Sequence, residues 1–139
     1  MLGIIICGHG GFASGMEQAM LQILGEQEAV VAIDFPDLKI IGIHIGVPWT
    51  DEMISMAWKH ENVYIGVDAY APKHWPPQLV HYLNTYGREK VLFGTDWPVI
   101  ETIRAVKEIR AMDLRPESYR ALMRHNAIKV FNLQGMAEA

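Results

Sequence analysis

The strongest constraint on the fold is an alternation, along the whole chain, of short β-branched runs with helical patterns. It begins at residues 4–11 (IIICGHGG), where an apolar run meets a glycine-rich turn. Apolar residues then recur at the spacing of an amphipathic helix up to Gly25. Such alternation predicts an α/β fold with a mostly parallel sheet. Strands are expected near residues 3–7, 29–34, 38–43, 63–67 and 91–93, and helices near residues 14–24, 50–59, 76–87, 99–111 and 116–133.

The length of 139 residues limits how these elements can be arranged. A single-chain barrel of eight parallel strands needs about 200 residues or more, so a closed barrel is excluded. We expect one α/β domain over residues 1–139, with a layered, mostly parallel sheet of about four or five strands flanked by helices. A partial barrel and a flavodoxin-like sheet both fit this description.

One connection does not suit a parallel sheet. Parallel neighbours need a crossover of a dozen or more residues, but only residues 35–37 separate the second and third apolar runs. Either residues 29–34 and 38–43 are antiparallel neighbours, or residues 28–35 are the end of a helix. The β-branched residues favour a strand, and we adopt the strand as the prediction.

Composition excludes several classes of protein. The net charge is −4 and no dense Lys/Arg run exists, so neither nucleic acid nor an anionic membrane is an expected partner. Cys7 is the single cysteine, which excludes an intrachain disulfide framework and fits a reducing compartment. We expect Cys7 to be an inert core residue. The first residues lack the basic stretch of a signal peptide and no apolar run reaches transmembrane length, so we expect a cytoplasmic protein.

The turn after the first strand carries His9 beside Gly10 and Gly11. An imidazole with one free nitrogen can accept a phosphoryl group, and N–H groups at a helix N-terminus can bind a phosphate. His9 is therefore a candidate phosphoryl acceptor, with Gly10 and Gly11 as candidate phosphate-binding residues. Ser14 and Glu17 fit a capping box, which predicts that the helix begins there. The alternative is that the turn only connects the strand to the helix.

A family resemblance adds to this prediction. Residues 8–16 (GHGGFASGM), 24–26 (LGE) and 32–35 (AIDF) resemble the start of the enzyme IIA domain of the mannose class in the sugar phosphotransferase system. The resemblance covers residues 1 to about 36. It implies that His9 takes a phosphoryl group from a phosphocarrier protein and passes it to a IIB unit. The later strands of that family, including the acidic glycine-rich loop facing the histidine, have no counterpart here.

A second resemblance covers residues 35 to about 133. It rests on residues 35–40 (FPDLKI), 42–46 (GIHIG), 48–49 (PW), 60–64 (HENVY), 75–77 (WPP), 86–98 (YGREKVLFGTDWP) and 126–127 (NA). These segments resemble the C-terminal part of a TIM-barrel amidohydrolase, of the metal-dependent hydrolase and decarboxylase group. The resemblance implies the last three barrel strands with their helices, and assigns His44 and Asp96 to the metal site. The His-x-His of the first barrel strand has no counterpart.

We interpret the chain as a fusion of residues 1–36 (enzyme IIA-like) with residues 37–139 (amidohydrolase-like), joined within one α/β domain. The main functional prediction is a folded chimera that lacks a complete native active site. One alternative is a phosphocarrier for sugar uptake that uses His9. The other is a metal-dependent amidohydrolase-type hydrolase that uses His44 and Asp96.

The cofactor prediction follows from the number of ligands. A catalytic zinc site normally has three protein ligands, and the sequence supplies only His44 and Asp96, which Asp68 or His9 could join by chance. We therefore expect no cofactor, with a divalent metal such as zinc as the alternative. Without a metal, His44 and Asp96 would be polar residues bonded to nearby backbone.

The partner prediction follows from the resemblance to part of a barrel. Strands that belong inside a closed sheet would have open edges and uncovered apolar faces in a fragment, which favours association. We expect a homo-oligomer, with exchange of segments between copies as one route. A phosphocarrier protein is the partner under the His9 alternative.

Overall fold

The computed structural model describes residues 3–133 and residue 135, apart from the side chain of His9. The five strands are β1 (Ile4–His9), β2 (Val30–Phe35), β3 (Ile40–Gly42), β4 (Val63–Gly66) and β5 (Val91–Leu92). The helices are α1 (Phe12–Leu24), α2 (Thr50–Lys59), α3 (Pro77–Leu83), α4 (Thr102–Arg110), α5 (Pro116–Arg120) and α6 (Asn126–Val130). Short 3₁₀ segments lie at His44–Gly46 and Pro72–His74, and a π-helical segment, Ala121–His125, joins α5 to α6.

The strands form two parallel sheets, one in each of two compact units, Met1–Leu38 and Lys39–Ala139. Five parallel strands flanked by helices, with no closed barrel in the described part of the chain, confirm the predicted fold class. None of the described helices combines the length and the apolarity that a membrane crossing requires.

The first unit is a β-α-β arrangement. β1 and β2 are parallel, with Ile4 opposite Val30 and His9 opposite Phe35, and α1 is the crossover between them. The predicted strand at residues 29–34 is confirmed, and the alternative of a helix end at residues 28–35 is wrong. The prediction that Cys7 is buried is wrong, because Cys7 is exposed. A two-stranded sheet can cover little of its own surface, so several apolar residues of β1 and β2 also stay exposed.

α1 begins two residues before the position that the capping box predicts. Phe12 is its first residue, and the hydroxyl of Ser14 donates to the Gly11 carbonyl at 3.2 Å instead of capping the helix. The Asp34 carboxylate, at the end of β2, accepts from the N–H groups of Ala13 at 2.9 Å and Ser14 at 3.3 Å. Hydrogen bonding from the Ser14 side chain, followed by that from the N–H groups of Ser14 and Ala13, holds the pKa of Asp34 below its usual value. A residue from the neighbouring strand thus supplies the cap.

The second unit contains three consecutive strand-and-helix repeats. β4 lies between β3 and β5 and is parallel to both, with Ile40 opposite Val63 and Ile65 opposite Val91. All three strands therefore end at the same edge of the sheet. α2 is the helix whose predicted start and end both agree with the structure, from Thr50 to Lys59.

The core of this unit lies where the helices pack on the sheet. Its fully buried side chains include Ile45, Ile65, Leu79, Leu83, Ile109 and Leu122. Each such side chain contributes roughly 1.5–3 kcal/mol by leaving water. Trp75 is buried beside them, and its indole N–H donates to the Tyr70 carbonyl at 2.9 Å. The strands that carry these three ends are thus held in place by a packed hydrophobic core.

Neither solution proposed for the short connection at residues 35–37 is correct. β2 and β3 are both strands, but β2 pairs with β1 and β3 pairs with β4. They are therefore neither antiparallel neighbours nor the two ends of one crossover. The connection can be short because it joins two sheets instead of two neighbours in one sheet.

Candidate metal centre

Three strand-end side chains of the second unit converge. His44 follows β3, Asp68 follows β4 and Asp96 follows β5. Each offers one potential ligand atom, and these atoms all lie within 4.8 Å of one another. The convergence arises because consecutive parallel strands carry the residues after them to one edge of the sheet. His44, Asp68 and Asp96 are referred to below as the strand-end cluster.

The backbone that presents His44 has an unusual conformation. His44, Ile45 and Gly46 all have positive φ, at 56°, 62° and 73°. A positive φ is rare for a β-branched residue, and such strain persists only where surrounding structure enforces it. Ile45 supplies that structure, because its side chain is fully buried in the core. Asp96 also has positive φ, at 52°.

The His44 imidazole lies between two carboxylates. Its Nε2 atom is 3.1 Å from Oδ2 of Asp68 and 4.0 Å from Oδ2 of Asp96. The side chains of His44 and Asp96 are about half exposed, at 47% and 48%, whereas Asp68 is only 18% exposed. The cluster is thus open to solvent on the side of His44 and Asp96 and partly enclosed around Asp68.

The chemistry of these donors fits a divalent metal. Imidazole nitrogen binds Zn²⁺ and other transition metals, while carboxylate oxygens suit Mg²⁺ and Mn²⁺. Two glycines border Asp68. A Cβ atom on Gly66 would be 2.8 Å from Oδ1 of Asp68, and one on Gly94 would be 3.2 Å from its Cβ. A larger residue at position 66 would therefore crowd the carboxylate, and one at position 94 would crowd the Cβ of Asp68.

The structure also fixes the surroundings of the other predicted site residues. Gly10 and Gly11 form the turn between β1 and α1, and Gly10 has a φ of 64°. The side chain of His9 lies outside the described residues. The N–H groups of Ala13 and Ser14, at the start of α1, already bond to Asp34.

A cavity of about 610 Å³ lies elsewhere in the second unit and has a different character. Its lining residues are Arg88, Glu89, Glu117, Ala121, His125, Asn126 and Lys129. Its charges are paired: Lys129 lies 2.7 Å from Glu89, and Arg88 lies 3.5 Å from Glu117. The hydrogen bond from Lys129 holds the pKa of Glu89 below its usual value. The cationic groups of both pairs already bind carboxylates of the chain, so they are not free to bind an anionic ligand. The strand-end cluster is therefore the stronger candidate site.

Comparison with known families places this geometry in context. A family model described as amidohydrolase matches residues 2–133. The chain belongs to the amidohydrolase family. The match includes the segment that resembles enzyme IIA, and the fusion of two families stays a prediction. No curated protein matches the chain.

Two solved structures are similar to this chain in fold. An uncharacterized TIM-barrel protein from Bordetella bronchiseptica superposes with a TM-score of 0.64 at 21% identity, over 96% of this chain and 47% of that chain. An amidohydrolase 2 from Bifidobacterium longum subsp. infantis has a TM-score of 0.49 at 24% identity, over 94% of this chain and 50% of that chain. The chain therefore spans about half the length of the structures it matches.

Of the three residues in the strand-end cluster, Asp68 is the one for which the sequence gives the weakest indication of a metal-binding role. It is the last polar residue of a strand pattern, and it carries no motif of its own. The signal that could have identified it is topological: parallel strands that follow one another in the chain bring their following residues to the same edge. His60, His74, His81 and His125 do not join the cluster.

Proposed function

We propose that this chain forms the metal-binding part of a metal-dependent hydrolase of the amidohydrolase family, with His44 and Asp96 as metal ligands. The observation that carries the proposal is the convergence of the strand-end cluster at the carboxyl edge of three adjacent parallel strands. Catalytic residues of TIM-barrel enzymes lie at this edge. Membership of the family supports the same conclusion. The expectation of no cofactor is replaced by a divalent metal.

The proposed chemistry assigns a role to each side chain. A divalent metal bound at such a site polarises a carbonyl group and makes water a stronger nucleophile. Nε2 of His44 supplies the nitrogen ligand. The Asp96 carboxylate, about half exposed, is open to water and can take the proton of an attacking water molecule and pass it to the leaving group. The overall reaction adds water across a C–N or C–O bond next to a carbonyl.

Two exposed tryptophans suggest the character of the substrate. Trp49 follows the 3₁₀ segment that carries His44, and Trp97 is the residue after Asp96. They are 66% and 74% exposed. Large exposed indole rings beside a polar centre suit a substrate with an aromatic or other apolar part.

Hydrolysis assays with matched variants test this proposal. The metal-loaded chain is expected to hydrolyse members of a panel of esters, lactones and amides, to lose activity with a chelator and to regain it with added metal. His44→Ala and Asp96→Asn should each lower kcat/KM at least about 100-fold, because each removes a proposed ligand. His81→Ala, an exposed histidine outside the cluster, is the control. Hydrolysis that persists in chelator, or that survives His44→Ala, would overturn the proposal.

The predicted chimera without a complete native active site makes the opposite prediction. It leaves His44 and Asp96 as polar residues without a metal, so no metal-dependent hydrolysis occurs in the wild type. Metal binding without hydrolysis would support a metal site in a fragment that lacks the rest of the active site. The same assays therefore separate the hydrolase from the chimera.

The His9 phosphocarrier is the second alternative. A phosphate held at Gly10 and Gly11 would have to share the start of α1 with the Asp34 carboxylate, which already takes the N–H groups of Ala13 and Ser14. We therefore expect little transfer of labelled phosphate from a phosphocarrier protein. Rapid labelling that disappears in His9→Ala would establish this alternative.

A further inference from the structure

We infer that Asp68 is a third ligand of the proposed metal, and that it also orients His44. This inference rests on the proposed metal site and deepens it. The sequence resemblance assigns only the histidine after β3 and the aspartate after β5. The structure adds the carboxylate from the strand between them.

Asp68 contacts His44 in two places. Oδ1 of Asp68 accepts from the backbone N–H of His44 at 3.2 Å, while Oδ2 lies 3.1 Å from Nε2 of its ring. One carboxylate therefore engages both the backbone and the tip of the side chain. The N–H contact fixes the carboxylate against a backbone whose φ is already positive.

The distances between the possible ligand atoms also favour Asp68. Two atoms that would each lie about 2.1 Å from the same metal ion are about 3.0 to 3.4 Å apart in the common coordination geometries. Nε2 of His44 and Oδ2 of Asp68 are 3.1 Å apart, whereas Nε2 and Oδ2 of Asp96 are 4.0 Å apart. The pair formed by His44 and Asp68 is therefore closer to the separation of two ligands than the pair that the sequence assigned.

Two glycines leave space for the carboxylate of Asp68. Gly66 and Gly94 border Asp68 from β4 and from the residues after β5, and a Cβ on either would crowd it. Neither glycine has the positive φ that would require glycine for backbone reasons. Their lack of a side chain therefore has a local use, which is to leave room for Asp68.

The resulting ligand set has one nitrogen and two oxygens. Many catalytic zinc sites contain several histidines. Mn²⁺ prefers oxygen ligands, so this set suits Mn²⁺ better than a set of several histidines does. Zn²⁺ in general binds nitrogen and oxygen ligands more tightly than Mn²⁺ does. The test therefore compares the factor by which each variant weakens Mn²⁺ binding with the factor by which it weakens Zn²⁺ binding.

Titration of the full chain with Mn²⁺, followed by electron paramagnetic resonance, tests the inference. The wild type is expected to bind one Mn²⁺ ion per chain. Asp68→Asn keeps an oxygen that can accept from the His44 N–H but removes the negative charge, so its Mn²⁺ dissociation constant should rise at least about tenfold. Asp113→Asn, an exposed residue outside the cluster, should leave binding unchanged.

Competition between Mn²⁺ and Zn²⁺ separates ligation from positioning. If Asp68 is a ligand, Asp68→Asn should weaken Mn²⁺ binding by a larger factor than Zn²⁺ binding, because Mn²⁺ depends more on oxygen ligands. Equal losses for both ions would mean that Asp68 only orients His44, and would overturn the ligand assignment. Gly66→Ala, which crowds Oδ1, should reproduce the selective loss and serves as the second variant if Asp68→Asn does not fold.

The outcomes also separate this inference from the proposed function. Unchanged Mn²⁺ binding in Asp68→Asn, together with loss of binding in His44→Ala and Asp96→Asn, would overturn the role of Asp68 alone. Absence of Mn²⁺ and Zn²⁺ binding in the wild type would overturn both proposals.

Discussion

Tyr82 carries a hydroxyl group that no described residue bonds. The residue is 1% exposed and packs edge-on against Tyr86, with ring centroids 4.9 Å apart. A buried polar group without a partner loses its hydrogen bonds to water and gains none in return. Burial, followed by the effect of Tyr86, raises the pKa of Tyr82 to about 12.

We expect Tyr82→Phe to be tolerated or stabilising. The substitution keeps the ring and removes the unpartnered hydroxyl, so the free energy of unfolding should rise by up to about 1 kcal/mol. Urea unfolding measures this change. Tyr86→Phe, on an exposed ring, should stay within about 0.5 kcal/mol of the wild type. A loss of more than about 1 kcal/mol in Tyr82→Phe would show that the hydroxyl has a partner.

The raised pKa of Tyr82 also predicts how stability changes in alkali. An unfolded tyrosine ionises near pH 10, whereas folded Tyr82 ionises near 12. The neutral form is thus favoured in the folded state, so this contribution to stability is complete below about pH 10 and is lost as the pH rises towards 12. Tyr82→Phe should show a smaller loss of stability over this interval. An identical alkaline profile in both proteins would contradict the assignment.

At the scale of elements, Asn126 connects α6 to β5. It is 2% exposed, and its side-chain amide donates to the carbonyls of Arg88 at 2.8 Å and Val91 at 2.7 Å. Asn126→Ala removes both bonds and leaves the Val91 acceptor buried, which should cost about 2–3 kcal/mol in the free energy of unfolding. Gln78→Ala, on the exposed face of α3, is the control. A loss no larger than that of the control would contradict this role.

The elements show which parts of the fold local patterns can predict. Periodicity and proline positions locate α2 and the start of α3, because these helices depend on their own apolar faces, but α3 ends at Leu83, four residues before its predicted end. The start of α1 was misplaced because its cap, Asp34, comes from a strand that lies 21 positions from Ala13. The π-helical segment Ala121–His125 has no signature in local periodicity and was predicted as ordinary helix.

In the candidate site, too, local sequence patterns predict some residues, while others depend on contacts between distant parts of the chain. His44 and Asp96 could be predicted because the family resemblance includes the segments around them. Asp68 could be noted only as a strand-end residue, since its importance depends on a 3.1 Å approach to His44 across two strands. Sequence spacing does not encode that distance, whereas the order and direction of the strands do.

At the scale of the whole molecule, exposed apolar residues predict association. Ile5 on β1 and Ile23 on α1 are 69% and 80% exposed, and apolar patches of this kind favour contact between copies. Light scattering is expected to give a mass above that of one chain, falling on dilution. Ile5→Thr keeps a β-branched residue and should weaken association. A clean monomer mass in the wild type at every dilution would contradict the prediction.

A metal bound by the strand-end cluster is the central feature proposed for this chain of the amidohydrolase family. Anomalous diffraction from crystals of the full chain grown with Mn²⁺ tests this most directly, because the anomalous signal locates the ion without any assumption about its ligands. We expect one strong peak within bonding distance of Nε2 of His44 and of the carboxylates of Asp68 and Asp96. A well-ordered cluster with no peak, or a peak bound only by residues outside it, would contradict the proposed metal site.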